Sequence, residues 1–448
     1  MTPPSTDASA ADNNPKSGQA AFAHADFRYY WLARILGALA IDMKITAVGW
    51  QVYTLTGRPF DLGLVGLVQI IPFFLLFPLA GMAADRLPRK RVLAACISVQ
   101  AVCAIVFCSL TVTGAITFPF MLMILTLFGM SRAFQSPTQQ AIVPGLVPPS
   151  AFSNALAWNA TASQAARIVG PGIAGVMIIA GEAWVYGVAT VLLLVASGLT
   201  FCIRATTQIT INTPLNFKTV FAGFQFIWWR PSLLGAISLD LFAVLLGGAT
   251  ALLPIYAKDI LKVGPWGFGL LRGAHMLGAC SGALYFTQRP IQRRAGYKLL
   301  VGVGLFGFSI VIFGLSTHLG LSLAALWTLG ASDSVSAFIR NNLVQLMTPD
   351  HMRGRVSAIS SVFIGASNEL GEFESGVTAA WWGVVPAVVV GGVGAMAAAV
   401  LFAYFFPQLR QIDALTLDAL VRQGQQEEAR TRGRRHVECH TNRVERSS

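Results

Sequence analysis

The stretch Gly81-Met82-Ala83-Ala84-Asp85-Arg86-Leu87-Pro88-Arg89-Lys90-Arg91 decides the fold. Apolar runs flank it, residues 62–84 and 92–112, and each is long enough to cross a bilayer. Between them one acid and four cations fill a turn too short to be a domain. Such a turn joins two membrane helices, and its cations place it on the cytoplasmic side. Asp85 is the odd residue, because it ends the incoming helix, where the macrodipole is negative and disfavours a carboxylate. Gly81, Asp85, Arg86, Arg89 and Lys90 are therefore read as a conformational gate in which Asp85 needs a partner.

Composition agrees with a lipid environment. The 448 residues are 54% hydrophobic and 12% charged, where a soluble domain carries roughly 25% charged residues. The formal charge of +12 is spread over short loops and the tail rather than one amphipathic face. It therefore marks topology and attraction to anionic headgroups, not nucleic acid. Residues 1–25 show no signal peptide and are expected to be a disordered cytoplasmic tail. The cysteines form no CxxC and read as small packing residues. No metal-ligand spacing, nucleotide-binding loop or nucleophile–base pair occurs, so no cofactor, metal or enzymatic activity is expected.

Apolar stretches fall at 29–54, 62–84, 92–112, 116–136, 152–179, 183–203, 232–257, 265–287, 297–316, 318–340, 356–380 and 383–406. The fold class expected is an all-α membrane protein of twelve transmembrane helices in two pseudo-symmetric six-helix bundles. The bundles take residues 26–203 and 232–406, with a cytoplasmic loop at 204–231 between them. A basic cytoplasmic tail follows at 407–448, in which 409–421 suits an amphipathic surface helix. Thirteen loop cations against three put both termini in the cytoplasm. The halves also resemble each other. A shift of 201 places Gly129 on Gly330, Gly170 on Gly371 and Gly175 on Gly376, and a shift of 206 places Gly63 on Gly269.

Several motifs carry a family resemblance. Gly81-x-x-x-Asp85-Arg86-x-x-Arg89-Lys90 resembles the helix 2–3 loop motif of the major facilitator superfamily, with Pro88 where Gly is common. Gly170-Pro171-Gly172-Ile173-Ala174-Gly175 is similar to the Gly-Pro-x-x-Gly-Gly signature of its proton antiporters, with Ala174 in place of one Gly. Phe27-Arg28-x-x-Trp31-Leu32-Ala33-Arg34 and Asn368-Glu369-x-Gly371-Glu372-Phe373-Glu374 resemble the subgroup that includes enterobactin exporters. The resemblance implies alternating access and export across the bacterial inner membrane. It also implies that Asp85 docks near residues 355–357.

Ionisable residues inside spans are functional candidates because lipid makes each expensive. Glu369 and Glu372 share a helix face and Glu374 points elsewhere. Such close carboxylates cannot all ionise cheaply, which suits proton coupling, although pairing with Arg residues to lock the bundles is an equal alternative. Asp42 either pairs with Arg34 on its own helix or lines a cavity and titrates. Arg167, Asp240, Arg272 and His275 are further cavity candidates, and Trp158, Asn159 and Gln164 form a polar-aromatic stripe. Arg132 and Asp333 exchange charge at one repeat position and, with Arg340, read as gate charges near helix ends. Gly170, Pro171 and Gly175 read as a packing and gating element, and tryptophans such as Trp31 and Trp50 as interfacial anchors.

The expected function is proton-driven export of a small organic molecule, siderophore-like or drug-like, by a monomer. The partners are the cargo, protons and the bilayer. A proton-coupled importer is the alternative, and a non-transporting membrane scaffold or sensor a third reading.

Overall fold

A computed structural model of the chain describes residues 17–204, 224–289, 291 and 293–413. In order the long helices are α1 (Ala25–Thr56), α2 (Pro59–Arg86), α3 (Arg89–Val112), α4 (Phe118–Ile142), α5 (Phe152–Ile178) and α6 (Glu182–Cys202). There follow α7 (Pro231–Leu246), α8 (Gly264–Gln288), α9 (Ala295–Leu315), α10 (Leu319–Met347), α11 (Asp350–Trp382) and α12 (Val384–Phe405). No strand occurs among the described residues.

The breaks follow from local chemistry. Gly57 closes α1 in the left-handed region, φ 63°, and its N–H donates to the Tyr53 carbonyl. Pro59 then opens α2, where a missing N–H costs nothing. Pro88 separates α2 from α3 at the basic turn. The turn's cations do specific work: Arg89 Nη1 donates to the Ala141 carbonyl at 2.8 Å and Lys90 Nζ to the Ile203 carbonyl. Both carbonyls lie at helix C-termini, where cations are favoured.

Among the described residues seven runs are long and apolar enough to cross a membrane: α2, α3, α4, α6, α9, α12 and the stretch from Pro231 to Ile260. The other five long helices, α1, α5, α8, α10 and α11, also have the length. They are more polar because they carry Asp42, Lys44, Arg167, Arg272, Asp333, Arg340 and the three glutamates of α11.

Four expectations need correction. The span at 232–257 is not one helix: α7 stops at Gly247-Gly248, and the chain continues through a 3-10 turn to a π-helical turn at Tyr256–Ile260. Gly248 sits against the Gly371 backbone, so a side chain there has no room. Helices α4 and α10 run past the expected ends at 136 and 340, to Ile142 and Met347. Hydropathy marks the lipid-facing part of a helix, not its hydrogen-bonded end. The segment after α12 is a packed strap, with Leu409 and Ile412 fully buried. The carbonyls of Ile412 and Asp413 accept from Gly296 and Ala295, both at 3.0 Å, and so cap α9. The rest of the expected surface helix, from 414 on, lies outside the described residues. Finally, the expected N-terminal tail is ordered over Ser17–Ala23, a 3-10 helix whose Phe22 packs edge-on against Phe27, Trp31 and Trp158.

Helices α1–α6 pack among themselves and α7–α12 among themselves. The two halves meet along α2–α11 and α5–α8. These seams are pseudo-equivalent. A methyl group on Gly376 would stand 2.7 Å from Gly63 Cα, and one on Gly175 would stand 2.8 Å from Gly269 Cα. Gly63 and Gly269 are repeat mates, as are Gly175 and Gly376, so each half offers the same two glycines to the other.

Candidate functional site

Among the described residues, ring and hydroxyl contacts between the halves gather at the end of the bundle remote from the basic turn. Trp50 stacks on Phe268 with ring centroids 5.9 Å apart, and Phe60 meets Phe373 edge-on. Tyr53 Oη donates to Asp259 Oδ2. Trp50 is 7% exposed, so it seals this far end rather than anchoring in an interface.

Two chambers lie between the halves. The larger, about 620 Å³, reaches Tyr30, Leu93, Gln139 and Thr200, all close to helix ends on the side of the basic turn. The smaller, about 350 Å³, lies toward the sealed end and is lined by Leu62, Phe268, His275, Asp333 and Glu372. Arg167, Arg272, Met276 and Asn368 line both chambers and form the waist between them.

Charge is concentrated around this waist. Asp42 lines the larger chamber, with its Cβ only 2.9 Å from where a Cβ on Gly170 would stand. The cations whose fields reach Asp42 are Arg272, Arg167 and Arg132. The groups acting on Glu372 are Glu369, Arg272 and Arg132. Among the described residues, Asp42, Arg167, Arg272, Asp333 and Glu372 make no side-chain hydrogen bond or ion pair within the chain. Arg132 Nη1 does make one, 3.1 Å from Glu369 Oε1, tying α4 of one half to α11 of the other. The site can therefore offer free charges of both signs to a polar cargo, next to a cross-half ion pair.

The structure distributes the sequence candidates as follows. It brings together Asp42, Arg34, Arg167, Gln164, Arg272, His275 and Glu372 on the two chambers. Arg34 does not pair with Asp42; its Nη1 donates to Gln139 Oε1 at 2.5 Å. Glu374 lines neither chamber and faces the Ser375 hydroxyl. Asp240 and Arg340 line neither chamber. They form an ion pair between α7 and α10, with side chains 6% and 5% exposed, and Ser336 Oγ donates to Asp240 Oδ1 at 3.0 Å. Asp333 lines the smaller chamber instead of a helix end, because α10 continues four turns beyond it. Trp158 and Asn159 also miss the chambers: Trp158 packs edge-on to Phe22 and Trp31, and Asn159 is buried.

Gly170 and Gly175 are packing positions, and Pro171 lines the larger chamber. Gly170 receives Asp42, and Gly175 receives Gly269 across the α5–α8 seam. Gly81 and Arg86 lie in the last turns of α2, with Arg86 exposed. The side chains of Asp85 and Arg355, and hence the expected docking between them, lie outside the described residues. Sequence reasoning missed Asn368 at the waist, Gln139 beside Arg34, and Gln135. These amides carry no charge and so raised no alarm at membrane depth. Asn368 had one available signal, since the shift of 201 places it on Arg167.

A family model described as transmembrane secretion effector matches residues 16–436. The enterobactin exporter EntS of Citrobacter koseri is 27% identical over 386 residues, covering 83% of this chain and 86% of that protein. Its counterpart from Shigella boydii is 26% identical over 384 residues, with the same coverage. Among solved structures, a bacterial homologue of the human lysosomal transporter Spinster, inward-facing and unoccupied, matches with a TM-score of 0.66. It is 14% identical and covers 93% of this chain and 99% of that one. A D-xylose–proton symporter matches with a TM-score of 0.66 at 13% identity, covering 85% of this chain and 98% of that one.

Proposed function

The chain belongs to the transmembrane secretion effector family of the major facilitator superfamily, and on that premise we propose that it exports a small organic molecule in exchange for protons. It is a multi-pass membrane transporter rather than an enzyme. The observation that carries the proposal is the waist, where Arg167 and Arg272 gather with Asp42 and Glu372 between two halves joined at the end remote from the basic turn. Cargo enters the larger chamber from the side of the basic turn. Protonation at Glu372 changes the charge beside the Arg132–Glu369 pair, loosens the hold of α11 on α4 and favours the opposite opening.

The basic turn and both termini face the cytoplasm of the bacterial inner membrane, and the transporter acts as a monomer. Enterobactin, named for the relatives at 26–27% identity, supports a siderophore-like cargo and is the first compound to test. The protein is reconstituted in liposomes, and enterobactin movement is followed with and without a proton gradient. Gradient-driven transport is expected in the native protein and lost in Glu372→Gln. Transport indifferent both to collapse of the gradient and to Glu372→Gln would refute the exchange.

A further inference from the structure

Lys44 lies in the middle of α1 with no part of its side chain exposed. It turns away from the chambers, which α1 lines with Ile41, Asp42 and Ile45. Its Nζ sits over the Phe128 ring of α4, 2.8 Å from the centroid, and has no hydrogen-bond partner. Among the described residues, the charged and titratable groups that act on it are Cys103 of α3 and Arg132 of α4, and neither is a carboxylate. Asp42, two positions earlier on the same helix, points to another face. An amine held at membrane depth without an acid is a functional candidate by default, and neither the cargo site nor the seams account for it.

A second orphan stands one turn before Cys103. Gln100 is fully buried, and its Nε2 donates to Gln135 Oε1 at 2.6 Å and to Ser131 Oγ at 3.3 Å. Its Oε1 has no partner. Gln135 in turn lines the larger chamber. A polar line therefore runs from the chamber through Gln135 to Gln100, and the interior beyond holds one acceptor without a donor and one donor without an acceptor. Buried polar atoms left in this way are usually satisfied by an internal water.

We propose that Lys44 is a proton carrier of the transport cycle, placed in the core of the first half beside the cargo chamber and exchanging its proton with the chamber through water oriented by the Gln100 and Gln135 amides. In unloading, an ammonium N–H bond breaks, the proton passes to water and the nitrogen keeps the electron pair; loading reverses the step. The assignment rests on the proton-exchange reading above and refines it. Cargo and one proton occupy opposite faces of the same helix, so α1 senses both through Asp42 and Lys44.

Arginine at this position keeps the positive charge and the ring contact but does not release its proton, and methionine keeps only the length. The native protein, Lys44→Arg and Lys44→Met are placed in nanodiscs, and their unfolding temperatures are followed from about pH 5 to about pH 9 without cargo. A group that exchanges its proton on unfolding contributes to the pH dependence, and that contribution should vanish in both variants. A Lys44→Arg profile matching the native one overturns the proposal and leaves Lys44 a fixed cation on Phe128.

In liposomes with enterobactin, cargo-dependent proton flux should fall about tenfold or more in both variants, whereas cargo-for-cargo exchange, which moves no proton, should continue. A coupled native protein whose Lys44→Met variant remains coupled overturns the Lys44 role alone. A native protein that moves cargo without protons overturns the exchange reading and this role together. If Lys44→Met does not fold, Lys44→Gln takes its place beside Lys44→Arg.

Discussion

Gly63 of α2 lies against Gly376 of α11 backbone to backbone, and a methyl group on Gly63 would stand 2.9 Å from the Phe373 carbonyl oxygen. Neither neighbouring atom belongs to a side chain that can swing aside. Gly376→Ala is therefore expected to pry the α2–α11 seam apart, at a cost of about 1–3 kcal/mol, as for other insertions into packed interiors. Labelling a cysteine placed at Leu62, in a background free of the native cysteines, should become faster from the far side. Unchanged labelling would mean that the seam yields without opening.

Tyr53 and Asp259 join the two halves at the sealed end. Tyr53→Phe removes this bond while keeping the ring, which costs about 1 kcal/mol, or about a fivefold shift toward the opposite opening. The same far-side labelling should report the shift.

Asp240 and Arg340 form a buried pair within one half. Removing one partner strands a charge, so Asp240→Asn or Arg340→Met should destabilise by about 3–5 kcal/mol and depress the yield of folded protein. Replacing both with apolar residues of similar volume should recover much of that loss. Size-exclusion profiles and thermal unfolding in detergent check both outcomes.

Arg132 and Glu369 form a different kind of pair, bridging the halves with the Arg132 side chain 39% exposed. Solvent screens it, so Glu369→Gln should change stability by about 1 kcal/mol or less. Transport should suffer far more than stability. Exchanging the two charges, Arg132→Glu with Glu369→Arg, should restore part of the transport lost in either single variant.

The basic turn, the helical class and the repeat were legible in the sequence because each depends on local pattern. Glycines paired by the repeat proved to be contact partners across the seams. Partnership between distant residues was less legible. Asp240 and Arg340 are 100 positions apart, and both looked like free intramembrane charges until packing joined them. Asp333 was misread because its span seemed to end at 340, whereas the helix continues through polar residues to Met347. Trp158 had the composition of a cavity residue, but the segment that covers it, Ser17–Ala23, was taken for disordered tail. Intrahelical proximity likewise suggested Arg34 for Asp42, and a neutral amide on α4 took the arginine instead.

Because both seams are built from bare backbone at Gly63, Gly376, Gly175 and Gly269, few interlocked side chains, among them Phe60 on Phe373 and Trp50 on Phe268, have to move when one half turns against the other. Such surfaces offer little friction. The resistance to turning is then concentrated in those ring pairs and in a few polar bonds at the rim and waist, among them Tyr53–Asp259 and Arg132–Glu369. The turnover rate of this transporter should therefore respond to proton concentration and to single hydroxyl or carboxylate substitutions more steeply than to changes in the bulk of its apolar core.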